Sequence, residues 1–573
     1  MRLFDEHVKR KTYLLDGMWD FVADEAEQGM KEEWYRNFPE KSMQVTVPGC
    51  INNRLGYMEF QNIAWYRKEF YAKGWITLKF YAVSEYARVY LDGEYLGDHY
   101  GGFTAFEFDK EVYAGKHSLV VMVDSRSTED TIPLYRVDWH HYCGIMRSVE
   151  VAELTSTAIK SMKVHYILSD DLKNADMKIY IRLQAYGKEC VTTECKVDID
   201  GQVLFQKEIE IGKDTEICVE GSIQDIRLWD IGCPELYTLT VQTKEDDLID
   251  RIGFRTIKVQ GKRILLNNKP IQIRGVNRHE EHPDWGFAMP AALNARDMDI
   301  LKDLNVNAVR GSHYPNSKLF VDMCDAEGIL FWSEIPMWGF SKVSVERPLV
   351  IKRGLEMHSE MVEQYFNHPS IVIWCMHNEI ATDSEQGYNI TKKFVEHVKK
   401  MDTSRLITCA TARPLTDICM SLVDFVSINK YVGWYEEDIK DWGKFIADLK
   451  RYLKEQGVDN KPVIMSEFGV GAMFGNKTFE SLRWSENYQV EFYEHTLNLF
   501  LEDELFSGVY LWQFSDIRSS AKWNLLRVRS FNNKGLINEY RLPKLAYYKV
   551  KEIFEQARKR ELQGKAGYVM QKE

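Results

Sequence analysis

The first part of the chain alternates apolar and polar residues in short runs. Such runs include WITLKFYAV, ARVYLDGEYLG and HSLVVMVDS, and turn-forming Gly, Asp and Ser residues separate them. This period of two is typical of β-strands that bury one face. Between two strand-like stretches, Asp92-Gly93 predicts a tight hairpin turn. We therefore predict an all-β sandwich over residues 1–152.

The strand-like pattern continues beyond this region with a different spacing. MKIYIRLQAYG, ECKVDIDG and LYTLTVQTK again combine β-branched or aromatic residues with polar ones. The absence of a long helical period between them favours a second sandwich. Its size is that of an immunoglobulin-like domain, which we place at residues 153–259.

The last part of the chain alternates apolar strand-like runs with helical ones. Its strand-like runs are PIQIRGV, VNAVRGS, GILFWSE, SIVIWCM, RLITCAT, FVSINKY, KPVIMSE and SGVYLWQ. Helical runs such as ARDMDILKDL and KLFVDMCDAE lie between most of them. This alternation indicates parallel βα units, and its length predicts a (β/α)8 TIM barrel over residues 260–573.

Composition and net charge mainly exclude classes of function. The chain has 573 residues and a net charge of −12, whereas nucleic-acid binding needs a basic surface. No stretch is apolar enough to span a bilayer, and the N-terminus lacks the apolar core of a signal peptide. The ten cysteines form no CxxC pair, which favours a reducing compartment. We expect a cytoplasmic protein that binds neither nucleic acid nor a membrane.

Polar residues follow the strand-like runs of the predicted barrel, at the end where such barrels carry their active sites. Glu379 follows the fourth run and Glu467 ends the seventh. A lone Glu at a strand end is more often an ion-pair partner or a solvated loop residue. Two of them across one barrel mouth instead predict a pair of converging carboxyl groups.

Paired carboxylates are the usual machinery of glycoside hydrolysis. One gives a proton to the leaving oxygen, and repulsion between the two raises the pKa that this acid needs. Asn378 is placed to bond the sugar beside the acid, and Tyr431 to orient the nucleophile through its hydroxyl. The histidines at 140, 141, 279 and 282 favour hydrogen bonding over metal binding. We therefore predict no metal and no cofactor.

Several longer motifs carry a family resemblance over nearly the whole chain. They are DWHHYCGIMRSV, RGVNRHEEHP, VRGSHYP, INKYVGWY, MSEFGV and LWQFSD. Together they resemble glycoside hydrolase family 2, and within it the β-glucuronidase group. The resemblance implies a jelly-roll sugar-binding-like first domain and a retaining mechanism, with Glu379 as acid/base and Glu467 as nucleophile. It also implies a set of substrate-binding residues: Asp138, His313, Asn378, Tyr431, Tyr435 and Trp512.

The segment SFNNKGLI bears on the substrate. Its Asn532 and Lys534 match the N-x-K motif with which similar glucuronidases hold the substrate carboxylate. A fixed ammonium pairs well with a C6 carboxylate, because charge-assisted hydrogen bonds are strong. The resemblance thus implies hydrolysis of β-glucuronides and a homo-oligomer, a dimer or tetramer. A galacturonidase or dual-specificity uronidase, a neutral-sugar β-galactosidase and a non-catalytic sugar-binding protein remain as alternatives.

The sequence also departs from the family pattern. The acid/base segment reads Asn-Glu-Ile where many relatives have Asn-Glu-Pro. The stretch IPMWGFSKVSVERP after Glu334 carries no long insertion, which predicts an open entrance for large aglycones. The loop RSSAKWNLLRVRS, at residues 518–530, is individual to this chain, and we expect it to help set aglycone preference.

Overall fold

A computed structural model describes residues 2–134, 136–435, 437–519 and 527–563. It contains two β-sandwiches followed by a closed parallel barrel, as the sequence predicts. Part of the individual loop, residues 520–526, lies outside the described residues. Within the described part, no helix combines the length and apolar character needed to cross a membrane.

The first domain is built on an eight-stranded sheet. Its strands and the small pair β5–β9 are β1 Thr12–Leu14, β2 Gly17–Ala23, β3 Met43–Val47, β4 Ile63–Phe80, β5 Val83–Ser84, β6 Tyr86–Leu91, β7 Glu94–Tyr100, β8 Phe106–Asp124, β9 Gly144–Ile145 and β10 Val149–Glu153. The predicted hairpin is confirmed between β6 and β7. Asp92 and Gly93 have φ angles of 51° and 79°, and two successive positive φ values are what a type I′ turn requires.

The second domain packs a three-stranded sheet against a four-stranded one around a single apolar core. Its strands are β11 Thr157–Leu168, β12 Ala175–Ala185, β13 Val191–Ile199, β14 Gln202–Ile211, β15 Thr215–Ile223, β16 Trp229–Asp230, β17 Cys233–Pro234, β18 Tyr237–Thr243 and β19 Asp247–Ile252. Buried and exposed residues alternate along β12, as expected of a sheet with one face in a core.

The third unit is the predicted barrel, preceded by a small sheet of β20 Ile257–Gln260, β21 Arg263–Leu266 and β22 Lys269–Ile271. The barrel strands are β23 Ile273–Asn277, β24 Ala308–Arg310, β25 Leu330–Glu334, β26 Ile371–Asn378, β27 Leu406–Thr411, β28 Val426–Asn429, β29 Val463–Glu467 and β30 Phe506–Leu511. They close in sequence order. All eight predicted strands are therefore confirmed.

Helices surround the barrel and bury the outer faces of its strands. They are α1 Ala291–Asp303, α2 Lys318–Glu327, α3 Pro348–Tyr365, α4 Glu385–Met401, α5 Trp442–Glu455, α6 Glu486–Glu502 and α7 Leu545–Leu562. After β30, the short strands β31 Ile517–Arg518 and β32 Phe531–Asn532 pair at the barrel mouth. Every residue of β26 is buried, as expected for a parallel strand covered on both faces.

A long loop of the first domain, between β8 and β9, lies over the barrel mouth. Arg347, next to α3, forms a forked ion pair with Asp130 of this loop at 2.5 and 3.0 Å. Further along, the His140 backbone N–H donates to the Arg518 carbonyl over 2.9 Å. Both contacts hold the intervening Asp138 above the carboxyl ends of the barrel strands.

The residues before β1 pack outside the first sheet. Arg2 binds Asp322 of α2 and Asp250 of β19, each at 2.9 Å, and the Val8 backbone N–H donates to Asp247 over 2.7 Å. These residues therefore tie the second domain to the barrel.

Candidate active site

The two glutamates singled out in the sequence lie at the same barrel mouth. Glu379 directly follows β26, and Glu467 is the last residue of β29. Asn429, at the end of β28, pairs with Glu467 in the strand register. Its side-chain amide donates to Glu379 over 2.8 Å and to the side-chain oxygen of Asn378 over 3.0 Å. One amide therefore links the segments that carry the two carboxyls.

Glu467 is a fixed and enclosed carboxylate. Its side chain receives a hydrogen bond from Arg310 at 2.8 Å on one oxygen and from the Tyr431 hydroxyl at 2.8 Å on the other. The residue is 3% exposed. Donors on both oxygens fix the orientation of this carboxylate. The Tyr431 contact is the one that the sequence predicts.

Glu379 lies in an environment that disfavours its ionised form. Burial, and next the negative charge of Glu467, raise the pKa of Glu379 to about 8. Its hydrogen bond from Asn429 opposes this rise without cancelling it. A pKa of about 8 favours the protonated form of Glu379 at neutral pH, as the acid in glycoside cleavage requires.

Arg310 organises this end of the barrel. Its guanidinium forms a forked pair with Glu334 at 2.9 and 3.0 Å and also donates to Glu467 and to the Asn378 side chain. Burial alone would raise the pKa of Glu334, but Arg310 and His313 outweigh it and lower that pKa to about 2. A guanidinium suits this position because its planar fork binds several oxygens at once and stays charged.

Aromatic rings and the unpaired side-chain nitrogen of Asn378 form one wall of the site. His313 stacks on Trp512 with 5.2 Å between ring centroids, and the Trp139 ring lies 5.4 Å away. His313 also contacts Glu334 through Nδ1 at 2.6 Å. The Asn378 side-chain nitrogen is buried and has no hydrogen-bond partner among the described residues. Such a donor beside Glu379 is free to bind a sugar hydroxyl.

Lys534 lies in a pocket of aromatic rings. Its ammonium donates to the Tyr435 hydroxyl over 2.9 Å and lies 4.9 to 5.5 Å from the ring centres of Tyr431, Trp434 and Tyr435. The residue is 1% exposed. Burial, and next the charge of Arg527, hold the pKa of Lys534 well below its usual range. A negative charge placed here would stabilise the protonated form of Lys534 and raise its pKa.

Asp138 of the first domain completes the site. One of its carboxylate oxygens accepts from Arg527 over 2.6 Å and from the Asn532 amide over 2.8 Å. The Asn532 side-chain oxygen is buried without a partner among the described residues. Asn532 and Lys534 thus flank the point where the first domain meets the barrel.

Contacts that run in part through Arg310, Glu334, Asn429 and Gln513 link all ten residues predicted for the site: Asp138, His313, Asn378, Glu379, Tyr431, Tyr435, Glu467, Trp512, Asn532 and Lys534. Sequence reasoning gave no role to Arg310, Trp139 or Arg527. Arg310 could have been found as a cation at a strand end, and Trp139 by its position next to Asp138.

Two groups of side chains could hold a metal ion among the described residues. They are His7, Asp246 and Asp247, and Asp322, Asp325 and His368. Neither includes a residue of the barrel mouth. In the second group, Asp322 already binds the Arg2 guanidinium, which occupies the place of a cation.

Family models match three consecutive stretches of the chain. They are the sugar-binding domain of the glycosyl hydrolases family 2 over residues 58–155, the family 2 model over 157–255, and the family 2 TIM barrel domain over 257–558. The chain belongs to glycosyl hydrolase family 2. This family 2 protein is thus a glycoside hydrolase, as the sequence predicts.

Individual relatives cover almost the full length of this family 2 chain. A solved β-galacturonidase of Eisenbergiella tayi, bound to galacturonate, is 34% identical with a TM-score of 0.89, covering 97% of this chain and 99% of its own. The β-glucuronidase of Paenibacillus borealis is 26% identical over 93% of this chain and 95% of its own. The β-galactosidase of Thermoanaerobacterium thermosulfurigenes is 28% identical over 94% and 75%.

Proposed function

We propose that this enzyme is a retaining β-uronidase that releases glucuronate, or its C4 epimer galacturonate, from β-glycosides. The observation that carries this proposal is the environment of Lys534. The residue is 1% exposed, and within the described residues its ammonium donates to the Tyr435 hydroxyl and forms no ion pair with a carboxylate. A buried cation without a counter-ion is costly. A C6 carboxylate would supply that counter-ion, whereas a neutral CH2OH group would not.

The first half of the proposed reaction cleaves the glycosidic bond. The Glu467 carboxylate, held by Arg310 and Tyr431, attacks the anomeric carbon and forms an ester bond to it. The bond from that carbon to the aglycone oxygen breaks, and Glu379 gives its proton to this oxygen. Asn378 donates to a hydroxyl next to the reacting carbon, where such bonds strengthen in the transition state.

The second half returns both carboxyls to their starting states. Once Glu467 is esterified, its negative charge no longer raises the pKa of Glu379, so that pKa falls. Glu379 takes a proton from a water molecule, and the resulting hydroxide displaces Glu467 from the anomeric carbon. Two displacements give net retention of configuration.

A specific observation favours galacturonides as the second candidate substrate. The solved β-galacturonidase is 34% identical to this chain, against 26% for the β-glucuronidase. The C6 carboxylate is common to both epimers, so the argument from Lys534 applies equally to each. The 28% identical β-galactosidase makes a neutral galactoside the alternative to exclude.

The test compares p-nitrophenyl β-D-glucuronide, β-D-galacturonide and β-D-galactoside. We expect kcat/KM to be at least about 100-fold higher for a uronide than for the galactoside, because a buried charge pair is lost with the neutral sugar. Proton NMR of the first product formed should show the β anomer of the free uronic acid. Turnover of the galactoside alone would overturn the assignment, and an initial α anomer would overturn retention.

The pH dependence follows from Glu379. Because the pKa of Glu379 is raised to about 8, the acid is protonated below that pH and loses its proton as the pH rises through it. We expect kcat/KM to fall on the alkaline side with an apparent pKa near 8 for a substrate with a poor leaving group, such as a methyl uronide. For an activated 2,4-dinitrophenyl uronide, which needs no acid, this alkaline limb should be much weaker. Because the pKa of Lys534 is also lowered, the same limb with both leaving groups contradicts the assignment of the acid if it persists in Lys534→Met.

Two further expectations from the sequence are also proposals. We propose a homo-oligomer, which light scattering coupled to size-exclusion chromatography would test. We also propose a cytoplasmic enzyme, since all ten cysteines are free thiols, a state that a reducing compartment maintains.

A further inference from the structure

A large cavity lies where the two sandwiches and the barrel meet. Its volume is about 1210 Å³, and small-molecule sites usually measure roughly 300–1,000 Å³. The wall includes Lys79 of β4, Lys163 of β11 and Lys318 of α2, together with Arg2 from the residues before β1. Among the described residues, the wall shares no member with the ten residues of the proposed sugar pocket. The cavity is therefore separate from the proposed active site.

Lys79 and Lys318 present free ammonium groups to this cavity. The Lys79 nitrogen lies 5.0 Å from the ring centre of Tyr81, and the Lys318 nitrogen lies 5.9 Å from that of Tyr365. Within the described residues, neither nitrogen forms a hydrogen bond or an ion pair with a carboxylate. An ammonium has three donors, and a partly buried cation without a partner is costly. Both groups are therefore available to bind an anion.

The carboxylates that act on Lys318 are already engaged by Arg2. Glu6 and Asp250 accept from its guanidinium at 3.1 and 2.9 Å. Burial, and next the charge of Arg2, lower the pKa of Lys318 to about 8, and Lys79 acts in the same direction. Glu6 and Asp250 oppose this fall without cancelling it. Lys318 thus lacks a full counter-charge.

The remaining carboxylates on the wall are bound by other groups or exposed. Glu280 accepts from Arg147 at 2.8 Å, and Glu107 pairs with Lys160 at 2.5 Å. The others are Asp16, which accepts from Ser148, Asp214, which pairs with Arg182, and the exposed Glu216 and Glu363. A counter-charge for the two lysines would therefore come from a ligand.

We propose that this cavity binds an organic anion with at least two negative charges, held by Lys79 and Lys318. Phosphate esters and polycarboxylates share the required chemistry, since each offers several oxygens to an ammonium. Phe106, Trp285 and Phe287 supply apolar surface on the wall for the carbon part of such a ligand. Because Lys79 belongs to the first domain and Lys318 to the barrel domain, a bound anion joins the two.

Calorimetric titration of the full chain tests this site, with glucose 6-phosphate and citrate as probes and glucose as the neutral control. We expect one site per chain for at least one of the anions and no binding of glucose. The anion that binds distinguishes a phosphate-ester site from a polycarboxylate site. Lys79→Met and Lys318→Met should each raise Kd at least roughly 10-fold, the usual effect of one charge-assisted hydrogen bond.

Lys393→Met is the matched control. Lys393 is an exposed lysine of α4 outside the cavity wall, so its replacement should leave Kd within about 2-fold of the unmodified enzyme. Lys534→Met is the second control, since citrate is also a candidate for the Lys534 pocket. Binding at the cavity should persist in this variant.

Thermal unfolding distinguishes a ligand site from a lysine that supports the fold. Without added anion, Lys318→Met should unfold at the same temperature as the unmodified enzyme or above it, because methionine fills the space without an uncompensated charge. The anion that binds should raise the Tm of the unmodified enzyme and not that of Lys318→Met.

Three results would overturn the proposal. They are no binding of either anion up to about 10 mM, equal affinity in the unmodified enzyme and both cavity variants, and loss of binding in Lys534→Met alone. A lower Tm of Lys318→Met without anion would make that lysine structural. None of these measurements involves glycoside hydrolysis, so failure of the uronidase function is seen separately.

Discussion

Replacing Glu467 by Gln is expected to reduce kcat by about 10⁴-fold or more with the fold intact, because the amide cannot form the ester intermediate. The change keeps the size of the side chain and its contact with Tyr431, so binding of substrate should be nearly unchanged. Steady-state kinetics and thermal unfolding measure the two effects separately. Glu504→Gln, at an exposed glutamate next to β30, is a control that should retain full activity.

Azide separates the roles of the two carboxyls. In Glu467→Ala, azide would occupy the place of the nucleophile and attack from its side of the ring, which gives an α-glycosyl azide from a β-uronide. In Glu379→Ala with an activated substrate, azide would attack the ester intermediate and give the β product. Wild-type rates in Glu467→Gln, or α product from both alanine variants, would contradict the assignment.

Replacing Lys534 by Met is expected to lower kcat/KM for uronides roughly 100-fold, a loss of about 2–3 kcal/mol of transition-state binding. Methionine fills the space between the rings without the charge. Activity on the neutral galactoside, which makes no ion pair there, should change by less than about 3-fold. Kinetics on matched p-nitrophenyl glycosides give both values.

Tyr435→Phe is the control for the Lys534 variant. It removes the hydroxyl that accepts from the ammonium but keeps the ring and the charge, so we expect a smaller loss on uronides, about 10-fold or less. An equal loss on uronides and on the galactoside in Lys534→Met would mean that the lysine supports the fold and not the carboxylate.

Much of this organisation is predictable because it is local in the sequence. Each barrel strand is an apolar run that ends in polar residues, and Glu379 and Glu467 stand at two of those ends. The register of a closed parallel barrel then brings the ends together. The same reasoning predicts the bond from Tyr431 to Glu467, because their strands are neighbours.

The remaining features depend on contacts between distant parts of the chain. Arg310 binds oxygens from four other strands, whereas its own strand shows only a cation at a strand end, as an ordinary ion-pair partner also would. Arg527 lies in a loop without periodicity, so the sequence indicates an individual loop but not which side chain enters the pocket. Its partner Asp138 is 389 positions away.

That long-range pairing means that the proposed sugar pocket is a property of the whole chain and not of the barrel. Asp138 belongs to the first domain, whereas Arg527 and Asn532 belong to the barrel domain. A barrel expressed alone would keep both glutamates and lose part of its ability to recognise the sugar. Exchange of first domains between relatives would consequently transfer a share of substrate choice, so the two units are constrained to evolve as one.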